Sequence, residues 1–329
     1  MSMSEPEARG PEEHEMIRYL LGRIGQALLV LLVTFTAAFL LLQALPGDAI
    51  MIRFMSPEMG LSPQQIAEIR TSYGADLPLW EQYFKSLGNF LTGNFGYSIQ
   101  AGVPVSKQLL TNLPPTLQLA SLAFLAALVL TVALAAASNM VGFVWLRTAL
   151  QSLPSLFISV PVFWLGIMLI QVFSFQLGLV SVISPGPAER LVLPVLTLAI
   201  PISAPLAQIL MRNIDEVLTQ PFVAVARAKG ASRNWVLWKH VARNAVLPTL
   251  TIAGVLFGEL LAGAVVTESV YGLGGLGGLT TQAVGNHDTA VLQAIVVISA
   301  VAFVVINLIV DLLYPVLDPR LGSKIGVSA

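Results

Sequence analysis

Two carboxylates stand where hydrocarbon is expected. Glu259 falls inside the apolar run Leu247–Thr267, and Asp311 near the end of Ala290–Leu313. A charged side chain in a bilayer is costly, so such residues face protein or water and mark pathways or helix contacts. Glu259 has two uses open to it: meeting a cationic group of a translocated molecule, or bonding a neighbouring helix. Asp311, near an interface, suits a structural role. Asn307, four residues earlier, suits a helix–helix contact and is grouped with Glu259 as a pathway residue. The run GLGGLG, Gly272–Gly277, fits G-x-G-x-x-G. Such glycines cradle a pyrophosphate only when they follow a strand and open a helix. These follow an apolar segment, so a flexible hinge or close backbone packing is expected instead. Glu268, Gly272, Gly274 and Gly277 are the residues such a gate would use.

Other chemistry is missing from the chain. His14, His240 and His287 are far apart, and there is no cysteine. No HExxH, GxSxG or paired intramembrane aspartate occurs, so no metal site, nucleophile or thiol centre is expected. His287-Asp288 is expected to be a solvated pair. No GxxxxGK[ST] is present, so the chain does not supply an ATPase of its own.

The elements that must position these residues are membrane spans. Only 11% of the 329 residues are charged, 56% are hydrophobic, and mean hydropathy is +0.80. Soluble domains carry about 25% charged residues. Six segments reach the roughly 20 apolar residues a spanning helix needs: 24–45, 116–137, 149–175, 191–211, 247–267 and 290–313. Kinks are expected at Pro154, Pro161, Pro194, Pro201 and Pro205. The fold class is therefore an all-α polytopic membrane bundle. Met1–Glu15 reads as an unstructured acidic tail, 16–45 as the N-terminal segment and first span, and 46–115 as an outer subdomain. Spans 2–6 fill 116–313, and 314–329 forms a C-terminal tail. With the N-terminus inside, inner segments hold most of the Lys and Arg, including Arg147, Arg212, Arg227, Lys229, Arg233, Lys239 and Arg243. Four of the five outer cations lie in one long loop, which the positive-inside rule discounts. Both termini are expected in the cytoplasm.

The outer loop holds two helical stretches. One follows Ser62, which can cap it, with Pro63 in the first turn. The other is Leu79–Leu91, with Trp80, Tyr83, Phe84, Leu87 and Phe90 on an apolar face. The loop either caps the bundle or offers a docking surface to an outer partner.

Between the fourth and fifth apolar runs lies FVAVARAKGASRNWVLWKHVARNAVLP, Phe222–Pro248, with five cations and no acid. Phe222–Ala228 is expected to be a helix that Gly230 ends, Ser232 to cap a second one, and Asn234–Ala245 to lead into the span. Holding the loop against anionic lipid would explain the charge, at about 1 kcal/mol per cation. Lipid does not account for the glycine turn or the length, for which docking to another protein stands as the alternative.

ARAKG at Ala226–Gly230, followed by HVARNAVLP at His240–Pro248, resembles the cytoplasmic coupling loop (212–247 here) of ABC-importer permeases. The likeness is to the dipeptide/oligopeptide/nickel class, in the first of its two permease subunits. MIRYLLGR at Met16–Arg23, LPGD at Leu45–Asp48, NFGYSIQAGVPV and LPPTLQLA within Asn94–Ala120, and DLLYPVLDPRL at Asp311–Leu321 agree with it in order. The resemblance implies a permease subunit in a bacterial or archaeal inner membrane, carrying short peptides, peptide-like compounds or metal chelates. It implies a second permease, two ATPase subunits that bind ATP and Mg, and an outer binding protein, with no nucleic acid. Ala224, Ala226, Arg227, Ala228, Lys229, Gly230, Ala231 and Ser232 would meet the ATPase. This chain departs from the pattern twice. Ala224-Val225-Ala226 stands where the class has Arg-Thr-Ala, and Glu268–Gly278 lacks the Trp-Pro of the outer turn. A self-sufficient secondary transporter would show internal repeats and several midplane charges, and an intramembrane enzyme a catalytic constellation. Neither pattern is found.

Overall fold

The computed structural model describes residues 11–44, 62–73 and 76–317. The expected Leu45–Asp48 motif, the first ten residues and the end of the C-terminal tail lie outside these, as does the side chain of Asp311. The helices are α1 Pro11–Gln43, α2 Pro63–Tyr73, α3 Leu79–Leu91, α4 Val105–Met140, α5 Val144–Ser159, α6 Val162–Leu169, α7 Glu189–Leu218, α8 Pro221–Ala228, α9 Arg233–Val236, α10 Ala242–Tyr271, α11 Leu276–Gly285 and α12 Thr289–Leu317. Among the described residues there is no strand.

Several expectations are corrected. α1 begins at Pro11, inside the segment expected to be an unstructured tail. α4 runs through Pro114 and Pro115, so the second span's helix extends well into the expected outer loop. The third segment is not one kinked helix. α5 and the α6 continuation to Gln176 meet at 105°. The break falls at Val160-Pro161, both in extended or polyproline geometry, where Pro161 has no N–H to continue the ladder. Pro154 lies within α5 without breaking it. Beyond Leu169 the backbone widens to a π-helix over Ile170–Gln176. α7 stays one helix through Pro194, Pro201 and Pro205. At α2 the sequence rule holds: Ser62 Oγ accepts from Gln65 N–H at 3.3 Å, and Gln65 Oε1 accepts from Ser62 N–H at 2.8 Å, a capping box.

Helix directions settle how often the chain crosses. Thr131 Oγ1 donates to Ser203 O at 3.3 Å, and Leu119 and Leu191 line one cavity, so α4 and α7 run parallel in constant register. The chain must then return across the bundle between them. The bent α5–α6 pair is what lies there, so it crosses once, making six spans with the five long apolar helices. α10 is antiparallel to α7: Asn213 Nδ2 donates to Ala245 O at 3.2 Å near one end, and Thr197 Oγ1 and Tyr271 OH share a 2.9 Å bond near the other.

The core sits among α4, α7 and α10. Ala120, Ala123, Ala127, Ala199, Ala253 and Ala264 are fully or almost fully buried there. Small residues let helix backbones approach closely where lipid offers no hydrophobic drive to pack. Gly258 serves the same end against α12, because a Cβ would collide with the Phe303 ring. α1 is the most peripheral of the five: only 17% of its apolar window is buried, against 50% for α7.

Candidate functional site

Two sites emerge, at opposite ends of the bundle. One is the Thr219–Ser232 loop, shorter than the expected 212–247 because α7 continues to Leu218 and helix resumes at Arg233. Pro221 opens α8 at its first turn. Lys229 N–H bonds Val225 O, Gly230 N–H bonds Arg227 O, and Ala231 N–H reaches back to Ala226 O at 3.2 Å. This is a Schellman-type close, and it places Gly230 at φ +84°, the left-handed region that glycine enters freely. Ser232 Oγ then accepts from Trp235 N–H at 3.3 Å, starting α9 as expected. α9 passes through a π turn, Leu237–Val241, directly into α10. Helix is therefore continuous from Arg233 to Tyr271, the expected second helix, Asn234–Ala245, running on into the span without a break.

The loop is pinned from one side only. Val223, Val236, Leu237 and Val241 are buried against Leu210, Met211 and Ile214 of α7. The other side faces out: Ala224, Arg227, Ala228, Lys229, Gly230 and Ser232 are exposed, Ala226 and Ala231 half-buried. Phe222 at 41%, Val225 at 54% and Trp235 at 49% exposure add an apolar component. Together with Ala226, Gly230 and His240 they line an open groove of about 1110 Å³. The His240 ring packs edge-on against Trp235 at 5.0 Å. The loop thus presents a cationic ridge beside a groove of mixed apolar and polar lining.

The other site, at the opposite end of the bundle, lies where α10 ends. Gly272 caps α10 at φ +61°. α11 then starts with amides that have no partner within the helix, as every helix does. Here the partners come from other spans. Gly277 N–H donates to Glu268 Oε2 at 2.6 Å, and Leu276 N–H donates to Thr116 Oγ1 at 2.8 Å. Thr116 Oγ1 in turn donates to Glu268 Oε1 at 2.6 Å. Glu268 and Thr116 are each 1% exposed. A carboxylate at a helix N-terminus is favoured by the dipole as well as by the bonds. The turn fits so closely that a Cβ on Gly275 would strike the Glu268 carboxylate, and one on Gly277 would lie 2.5 Å from Val265 O. Glu268 and Gly277 were expected here; Thr116 and Gly275 were not. Gly274 has open space around it and lines a cavity of about 270 Å³ with Asn112, Gln118, Arg190 and Glu268.

A second outer tie overturns the solvated His287-Asp288 pair. Asp288 is 2% exposed. Its Oδ2 accepts from Ser98 Oγ at 2.5 Å and its Oδ1 from Val291 N–H at 3.4 Å, capping α12 and fastening the outer loop to it. A local reading sees only two polar residues, because Ser98 is 190 positions away.

The pathway candidates are not brought together. Glu259 is exposed, on a row with Ile252, Val255, Ala262, Val266 and Ser269 at helical spacing. Among the described residues it has no hydrogen-bond or ionic partner. Asn307 Nδ2 bonds Phe303 O, in its own helix, at 2.8 Å, and among the described residues its side chain makes no hydrogen bond to another helix. Among the described residues no cluster of His, Asp and Glu could hold a metal ion.

Comparison with known proteins agrees with this architecture. Residues 127–323 match the family of binding-protein-dependent transport system inner membrane components, and residues 16–120 its N-terminal counterpart. The glutathione transport system permease protein GsiC of Salmonella paratyphi A is 34% identical over 94% of this chain and 100% of its own length. That of Escherichia coli K12 is 33% identical with the same coverage. Among solved structures, an inward-facing MetNI methionine ABC transporter superposes with TM-score 0.55 at 16% identity, over 64% of this chain and 96% of that one. An amino acid ABC transporter gives 0.52 at 20% identity, over 64% and 94%. The chain belongs to the binding-protein-dependent transport system inner membrane component family: it is a multi-pass permease subunit of an ABC importer, a transport protein rather than an enzyme.

Proposed function

We propose that the loop Thr219–Ser232 is the coupling element that a cytoplasmic ATPase grips, and that the importer carries short peptides or peptide-like compounds. The observation that carries the first part is the loop's division into a buried and a presented side. Val223, Val236 and Val241 anchor it to α7, while Arg227, Lys229 and Gly230 are held outward on a closed turn. A lipid tether needs cations, but not a capped helix with a groove beside it. In this reading both termini are cytoplasmic. Two ATPase subunits bind ATP and Mg, a second permease completes the pathway, and an outer binding protein delivers the ligand. Glu268, Gly272, Gly274 and Gly277 belong to the outer gate, and Glu259 and Asn307 to the pathway. The substrate class follows from GsiC, whose name states glutathione transport. Metal chelates remain within the class by the dipeptide/oligopeptide/nickel resemblance.

The test is a mild-detergent pull-down of the tagged chain together with an uptake assay. ATPase subunits and a second six-span permease are expected to co-purify. Arg227→Glu combined with Gly230→Pro is expected to abolish uptake while the chain stays in the membrane. Uptake that persists in the double variant removes the coupling assignment.

A further inference from the structure

α3 has more apolar surface than the bundle uses. Its inner side packs on the outer end of α1: Tyr83 and Phe90 stack edge-on with Phe35 at 5.8 and 5.2 Å, and Tyr83 with Phe39 at 5.4 Å. Thr36 Oγ1 and Tyr83 OH share a 2.9 Å bond, and Gln43 Nε2 donates to Gln82 Oε1 at 3.0 Å. Beside this packed side runs a second row at positions 80, 84, 87 and 91, the spacing of one helix face. Trp80 is 66% exposed, Phe84 63% and Leu91 81%. Glu81, Lys85 and Gly88 lie next round the helix, on the side away from α1, and are exposed as well.

The depth of this row is set by what α3 touches. The apolar part of α1 ends at Gln43. Thr36 lies seven residues before it, about 10 Å along the axis at 1.5 Å per residue. α3 therefore rides at the level of the last two turns of a spanning helix, where interfacial amphipathic helices lie, their apolar face about 5–10 Å into the headgroup–acyl boundary. α1 itself carries exposed apolar residues at this level. Val33 and Leu40 of α1, 58% and 60% exposed, are the helical neighbours of Thr36 and Gln43, which bond α3. Trp is the residue type that membrane interfaces favour.

We propose that α3 is an interfacial anchor whose row Trp80, Phe84, Leu87 and Leu91 lies in the outer leaflet, at the level of the last two turns of α1's apolar segment. The occupant is phospholipid rather than the binding protein or another subunit, because the row rides at the depth of a spanning helix's end, is led by a tryptophan and has no charge of its own. The inference takes from the proposed function only the orientation of the bundle and is independent of the coupling assignment.

The chain has no cysteine, so single-cysteine variants report one position each. Nitroxide labels go on Trp80→Cys, Phe84→Cys, Glu81→Cys and Lys85→Cys in the assembled importer, in phosphatidylcholine nanodiscs, with the other subunits made cysteine-free. Collision rates are read with oxygen, which concentrates in lipid, and with a water-soluble nickel chelate. The oxygen-to-chelate ratio at positions 80 and 84 is expected to exceed that at 81 and 85. Equal ratios at all four positions place the row in water and overturn the proposal. Labels at 80 and 84 that are immobilised and reached by neither quencher place it against protein and overturn it too. All four residues are exposed and polar or peripheral to the packing, so folding is retained.

Discussion

Removing the Glu268 carboxylate should loosen the first turn of α11. Glu268 accepts from Thr116 Oγ1 and Gly277 N–H at 2.6 Å each, and it is 1% exposed. In Glu268→Ala the Gly277 N–H has no acceptor, which costs about 1–3 kcal/mol. The void left by the side chain adds about 1 kcal/mol. Glu268→Gln behaves differently. The amide can turn its oxygen to Gly277 N–H and its NH₂ to Thr116 Oγ1, whose own hydrogen can go to Asn112 O at 3.3 Å. Losing the charge weakens both bonds, but it also removes the cost of burying a charge. The expected ranking is a loss of about 2–4 kcal/mol for alanine and about 1 kcal/mol or less for glutamine. At 1.4 kcal/mol per tenfold, alanine should speed amide exchange at Gly277 by roughly 30- to 700-fold, and glutamine by less than about tenfold. Hydrogen–deuterium exchange of the peptide spanning Leu273–Gly278, read in the purified importer, checks this. Unchanged exchange in the alanine variant, or equal exchange in both, refutes the reasoning that the carboxylate caps α11.

Further outcomes are expected elsewhere. Asp288→Ala leaves the Ser98 hydroxyl without its acceptor and α12 without its cap; a loss of about 2–4 kcal/mol should appear as a lower unfolding midpoint and faster proteolysis within Tyr97–Val103, with Ser98→Ala milder. Glu259→Gln should raise the apparent KM for peptides with a free amino terminus by about tenfold and leave N-acetylated ones unchanged, since one carboxylate–ammonium attraction is removed. Equal effects on both substrates return Glu259 to a contact with another subunit.

How much of this was legible from residues alone depended on sequence distance. Spans announce themselves by composition over twenty residues, and the loop turn by local rules: Gly230 closes, Ser232 restarts. The capping box at Ser62 is equally local. The break in the third segment was half legible. Pro154 and Pro161 look alike in sequence, yet only Pro161 sits at a bend, because neighbouring contacts decide which freed carbonyl is tolerated. The buried polar ties were not legible. Thr116 and Glu268 are 152 positions apart. Nothing near Glu268 distinguishes a helix cap from a solvated residue at the end of a span. The exposed row on α3 was read as part of one apolar face, since periodicity counts apolar positions without saying which half is used.

The two sites are ends of one structural unit. Helix is continuous from Arg233 to Tyr271, about 58 Å at 1.5 Å per residue, from the inner loop to the outer turn. α7 lies antiparallel beside it and is joined to it at both ends, by Asn213–Ala245 within the inner region and Thr197–Tyr271 near the outer turn, with Leu198 packed 3.3 Å from where a Gly263 Cβ would stand. In the coupling reading a force on the loop reaches α7 and α10 together, because Val223 of the loop and Val241, at the entry to α10, share one buried cluster with Leu210 and Ile214 of α7. Such a pair resists bending and shifts as a body. The regular ladder along it is interrupted at Pro248 and at the π turn Leu237–Val241. That turn lies between the presented loop and the first tie to α7 at Ala245. In the proposed coupling role, motion imposed on the loop is either absorbed there or passed on whole, and the burial of Leu237 and Val241 within the α7 contact favours passing it on.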